Sequence, residues 1–346
     1  MSENVQKTLR DSAALRWLAL ILLAGAMFCS YIFMDILSPI KDLMWDTKGW
    51  DSTAFGTMQG SETFLNVFVF FLIFAGIILD KMGVRFTAIL SGAVMLVGAT
   101  INWYALTDMV AGSNLEVWFN EHLNYIPGFD ELGVSPFYKG MPASAKFSAI
   151  GFMIFGCGVE MAGITVSRGI VKWFKGREMA LAMGSEMALA RLGVATCMIF
   201  SPMFARLGGE VSVSRSVAFG VVLLMIALIM FIVYAFMDKK LDSQTGEAEE
   251  KDDPFKLSDL GKILTDSGFW LVALLCVLYY SAIFPFQKYA VNMLQCNLVF
   301  HQVDPSSIWA SNTITIIQYV IMLVVAACAF ASNFSKKKKK KYGLMG

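Results

Sequence analysis

One acidic and one basic side chain, Glu160 and Arg191, each fall near the middle of a run otherwise apolar enough to cross a bilayer. Holding an isolated charge at that depth costs on the order of 2.5–3.5 kcal/mol even on the mildest insertion scale, so these two residues need a reason to be there. At one depth a fixed cation and a fixed anion can bind both ends of a zwitterion. Arginine forks onto a carboxylate, glutamate accepts from an ammonium, and both contacts strengthen where water is scarce. A dipeptide backbone reaches roughly 7 Å at about 3.3–3.6 Å per residue, which suits two side chains facing across a cavity. The competing reading is a structural ion pair between helices, and the two coexist if a solute displaces the pair.

Other polar residues in apolar runs offer less. Glu186 precedes Arg191 by five positions, about 140° around a helix, so the two are not expected to face one cavity squarely; it is a candidate proton site or packing partner. Asp35 and Lys288 lie toward the outer ends of their runs, where each lines a vestibule or meets water. Arg168, one turn before Lys172, can snorkel to the surface. Tyr31, Tyr280 and Gln287 can supply neutral hydrogen bonds to a solute, although aromatics in a span more often pack. The two histidines, His122 and His301, fall in loops, so any proton path through the bilayer relies on carboxylates such as Asp35, Glu160 or Glu186. No phosphate-cradling glycine loop, metal cluster or nucleophile cluster is present; neither an ATP-driven pump, a membrane enzyme nor a cofactor is expected. The six cysteines lie almost all in apolar runs and have no paired spacing for zinc or disulfides.

The elements that must carry these residues are membrane helices. The 346 residues are 57% hydrophobic and 16% charged, with a mean hydropathy of +0.61, which excludes a soluble domain. Eight runs reach the roughly 20 residues a span needs, at about 14–39, 62–80, 86–107, 147–171, 179–205, 215–237, 267–293 and 308–332. Runs this long without alternation exclude barrel strands. Lys81 and Arg85, Lys172, Lys175 and Arg177, Lys239 and Lys240, the N-terminal basic residues and Lys336–Lys341 fall on one side, which the positive-inside rule makes cytoplasmic, with both termini. The lysine run can bind anionic lipid. Nucleic acid is not expected, and a monomer is compatible with the pattern. Residues 1–237 form a six-helix bundle, 238–266 a charged linker, and 267–346 a second, partial bundle. Segment 108–146 mixes aromatics with Asn and Pro, suggesting a short interfacial helix and loop.

The loop Gly76-Ile-Ile-Leu-Asp80-Lys81-Met-Gly83-Val-Arg85 resembles the signature between the second and third spans of the major facilitator superfamily. The resemblance implies that Asp80 and Arg85 help lock the two halves together on the cytoplasmic side. Three further stretches resemble the lysosomal dipeptide uniporter branch of that family: Gly158-Val-Glu160, Trp173-Phe-Lys-Gly-Arg-Glu178 and Ala190-Arg191-Leu192-Gly193, with Phe284-Pro285-Phe286 fitting as well. This implies that Glu160 engages a peptide amino terminus and Arg191 a peptide carboxylate. The expected fold is an all-α polytopic membrane protein with a complete N-terminal six-helix bundle and about two helices of the C-terminal half, and the chain reads as a fragment. The expected function is transport of a small zwitterion, dipeptides first. The alternatives are a carrier of organic anions or sugars and a non-transporting scaffold or sensor. The outer loops hold no Asn-x-Ser/Thr acceptor, which favours a bacterial inner membrane over a lysosome.

Overall fold

The computed structural model describes residues 8–245, 261 and 263–297. Every regular element among them is helical, as a solvent without hydrogen-bonding capacity demands. The order is α1 (Ala13–Met34), α2 (Lys41–Lys48), α3 (Ser52–Phe68), α4 (Phe71–Ala105), α5 (Asn114–His122), α6 (Ala143–Phe174), α7 (Met179–Ala205), α8 (Val213–Thr245) and α9 (Ser267–Asn297).

Local chemistry sets the boundaries. The first apolar run ends as regular helix at Met34, earlier than the expected 39, and a single 3-10 turn, Ser38–Ile40, carries Pro39 before α2 begins. Proline lacks the N–H that a continuing helix would use. Gly49, at φ 67°, closes α2 in the left-handed conformation, and Asp51 caps α3 by accepting from the Ala54 N–H at 2.6 Å.

The second expected span needs correction. The run 62–80 does not form one helix: α3 stops at Phe68, Phe70 takes a left-handed φ of 55°, and α4 restarts at Phe71. Helix α4 then passes through the expected second-to-third loop, bending at Gly83 (φ 78°, ψ 169°) into arms 71–82 and 84–105. Six helical stretches among the described residues are long and apolar enough to cross a membrane: Ala13–Lys48, Phe71–Ala105, Ala143–Phe174, Met179–Ala205, Val213–Gln244 and Ser267–Phe286. The eighth expected span, 308–332, lies outside the described residues. Helix α8 continues to Thr245, past the expected end of the sixth span at 237.

Helix α6 is the hub, packed against α4 and α3, while α1 lies against α7 and α8. The seam between α1 and α6 is aromatic: Phe33 meets Phe155 at 4.8 Å between ring centroids, and Phe152 stacks on Phe155 at 5.7 Å. On α8 the exposed side chains Val222, Met225, Ile226, Ile229, Val233 and Phe236 recur at three- and four-residue steps, an apolar face fitted to acyl chains. The molecule is an integral, multi-pass membrane protein.

Candidate functional site

Arg191 reaches the centre of the bundle because α7 can press against α1. At Gly193 a Cβ would sit 2.6 Å from the Phe28 carbonyl oxygen and 3.3 Å from Tyr31 Cβ, so only glycine permits this approach. Ala190 one turn earlier, Val194 next to Gly193 and Cys197 one turn later are also buried. Arg191, just off that face, holds its guanidinium carbon 5.6 Å above the Tyr31 ring and 5.9 Å from the Phe284 ring. Both distances suit cation–π contact. Tyr280 of α9 stacks on Phe284 at 5.0 Å.

Glu160 occupies the facing helix, α6, and is partly buried. Among the described residues neither Glu160 nor Arg191 forms an ion pair. The two are not each other's salt-bridge partner among the described residues. Glu186 is 7% exposed. Gln287 lies on α9 next to Lys288, but its side chain is outside the described residues.

Toward the end of the bundle formed by residues 38–59, Lys288 of α9 joins α1 and α3. Its Nζ donates to Asp35 Oδ1 at 3.2 Å and to Gln59 Oε1 at 3.4 Å, and stands 3.6 Å from Glu62 Oε2. Gln59 in turn donates to Ser38 Oγ at 3.3 Å. Neither Asp35 nor Lys288 faces open water as a vestibule residue would: their side chains are 5% and 16% exposed.

The opposite, basic end is a second network. Asp80 pairs with Arg168 of α6, so that arginine does more than snorkel. Arg85 binds Asp242 at 2.6 Å and approaches Asp238 at 3.8 Å, both on the extension of α8. Lys172 bridges the same two carboxylates at 2.7 and 2.8 Å. Asp238 is fully buried and also accepts from Trp173 Nε1 at 3.0 Å. Asp80 and Arg85 thus have partners on two different helices of the six-helix unit.

Sequence reasoning missed Glu62, Gln59, Asp238 and Asp242. Glu62 stood at the edge of an expected span and Asp238 at the start of an expected linker, and boundary carboxylates read as solvated. A usable signal for Asp238 was its spacing from Tyr234, one helical turn, in a sequence that never breaks helix there.

A family model for the Major Facilitator Superfamily matches residues 23–346. Among curated proteins the chain is similar to the lysosomal dipeptide transporter MFSD1 of several vertebrates. The chicken (Gallus gallus) protein is 29% identical over 145 residues, 40% of this chain and 32% of that protein. The zebrafish (Danio rerio) protein is 30% identical over 145 residues, 40% of this chain and 31% of that protein. The orangutan (Pongo abelii) protein is 24% identical over 280 residues, 78% of this chain and 52% of that protein. The chain spans about half the length of that last relative and about a third of the other two. No solved structure matches.

Proposed function

The chain belongs to the Major Facilitator Superfamily, and we propose that it moves a small zwitterionic solute, dipeptides first, across its membrane by alternating access. One observation supports this reading: two opposite charges on the neighbouring helices α6 and α7 form no ion pair among the described residues, and Arg191 lies over the Tyr31 ring. Structural pairs close on each other, whereas a binding site for a zwitterion keeps them apart.

In this reading Arg191, near the rings of Tyr31 and Phe284, takes the carboxylate by a forked contact. Glu160 takes the ammonium. Tyr31, Tyr280 and Gln287 fill the neutral contacts along the backbone, and Glu186 tunes the field around Tyr31. The names of the similar proteins, lysosomal dipeptide transporters, point the same way. Asp80 and Arg85 act as the gate at the basic end, their partners Arg168 and Asp242 being exchangeable for partners on the other half during the cycle. The basic end faces the cytoplasm of a bacterial inner membrane, by the positive-inside rule.

The test is counterflow in proteoliposomes of the full chain loaded with dialanine. Labelled dialanine is expected to enter, with competition by unmodified dipeptides and none by N-acetylated or C-amidated ones. Competition by acetylated peptides or simple carboxylates alone would leave an anion carrier, and no flux of any solute would leave a scaffold.

A further inference from the structure

Helix α6 carries five glycines, and four of them sit where another helix comes close. A Cβ would lie 2.7 Å from the Asn102 backbone nitrogen at Gly151, 1.9 Å from the Glu62 carbonyl oxygen at Gly156, 2.6 Å from the Met95 side chain at Gly158 and 2.8 Å from the Tyr234 hydroxyl at Gly169. At Gly163, which is partly exposed, a Cβ would meet no heavy atom within 4 Å among the described residues. Glycine inside a helix is destabilising relative to alanine. Close packing therefore accounts for four of these residues and leaves Gly163 without a reason among the described helices.

Its place beside Glu160 gives it one. Gly163 follows Glu160 by three residues, so the two share a face of α6 with Cβ positions about 5–6 Å apart. Helical side chains lean back toward the N-terminus, which turns the space left at Gly163 toward Glu160. Contacts with α1 fix the depth. Gly158 meets Met95, whose sulfur accepts from Ser30 Oγ at 3.3 Å, and Gly169 meets Leu23, so between them α6 passes α1 from Ser30 to Leu23. On α7, Gly193 lies against Phe28 and Tyr31. Glu160 and Arg191 are thus level with each other, each two residues from one of these marks, and Gly163 is one turn nearer the basic end. The matching position below Arg191 is Met187, an exposed and flexible side chain.

We propose that the space over Gly163 receives the side chain of a dipeptide's first residue, and that the lack of a side chain at this position sets how large that residue can be. The inference rests on the zwitterion reading above and deepens it. An ammonium nitrogen held on Glu160 is one bond, about 1.5 Å, from the Cα that bears the first side chain, so that side chain falls beside Gly163. The second side chain falls on the Arg191 side, against Met187.

Two measurements on the purified full chain test it. The first compares two peptides of identical composition and reversed order, phenylalanyl-glycine and glycyl-phenylalanine. Gly163→Leu is expected to raise the Kd of the first relative to the second by about tenfold over the parent, the size of effect that overpacking a filled site produces. Gly163→Ala is expected to shift the ratio the same way by less. The second measurement is Tm, which Gly163→Ala is expected to keep or raise, since alanine favours the helix and has room there. A lowered Tm would place a packed helix at Gly163 and overturn the subsite. An unchanged ratio in both variants, or a shift against glycyl-phenylalanine, also overturns it while the zwitterion reading stands. If the parent binds neither peptide, the zwitterion reading fails and the subsite fails with it.

Discussion

At the scale of single residues, Arg191 differs from the paired cations of the basic end in what its guanidinium touches. Arg85, Arg168 and Lys172 each sit on acids, whereas Arg191 sits on rings. Arg191→Lys keeps the charge and loses the flat fork, so dialanine affinity is expected to fall clearly. Arg191→Ala leaves the bound carboxylate unpaired, an expected loss of about 2–5 kcal/mol. Binding isotherms of both variants check the order; equal losses would argue against forked recognition. Asp11 gives a pH-dependent prediction outside the membrane. The Thr8 backbone N–H, then its hydroxyl, then Arg177 at 2.6 Å hold the Asp11 carboxyl below its ordinary value. A depressed carboxylate stabilises fully above its ordinary value and stops doing so as the pH falls through the lowered one. Hydrogen exchange at residues 8–12 is therefore expected to quicken only in strong acid, and Arg177→Gln to move that onset upward. Glu160 and Arg191 were legible in the sequence because charge in an apolar run is conspicuous. Glu62 was not, since its burial comes from Gly156 on another helix.

At the scale of elements, glycine contacts and one buried carboxylate position the helices. Gly156→Ala forces α3 off α6 at Glu62, and overpacking of this kind costs about 1–3 kcal/mol. A lowered Tm with weakened dialanine binding is expected; an unchanged Tm would mean that α3 yields freely there. Asp238→Ala leaves Lys172 without one of its two acids and Trp173 Nε1 without its acceptor. Breaking a buried pair from one side costs about 3–5 kcal/mol, visible as a drop in thermal stability in detergent. Helix existence followed from apolar run length, but the break at Phe68–Phe71 did not. Phe, Val and Phe are as apolar as their neighbours, and nothing local demands a left-handed residue at Phe70. Conversely, Asp80-Lys81-Met82-Gly83 reads as a loop by composition, yet the backbone departs from helix only at Gly83.

At the scale of the whole molecule, two polar networks sit at opposite ends of the helices. One joins α9 to α1 and α3 through Lys288; the other joins α4, α6 and α8 through Asp238 and Asp242. Alternation of the two ends predicts an ordered topology. A cysteine placed at Lys175 is expected to react with a membrane-impermeant thiol reagent only from the cytoplasmic face, and one at Asn124 only from the outer face. Labelling of both from one side would invert or break the arrangement. The sequence by itself determined the solvent, the helical class and the presence of two charges in apolar runs, because hydropathy and charge are local properties that each residue carries wherever it lies. Tertiary structure alone decided which charges pair and which stay open. Pairing depends on which helices approach closely enough to bring side chains from distant parts of the chain, such as Asp35 and Lys288, within bonding distance, and no local pattern records that approach.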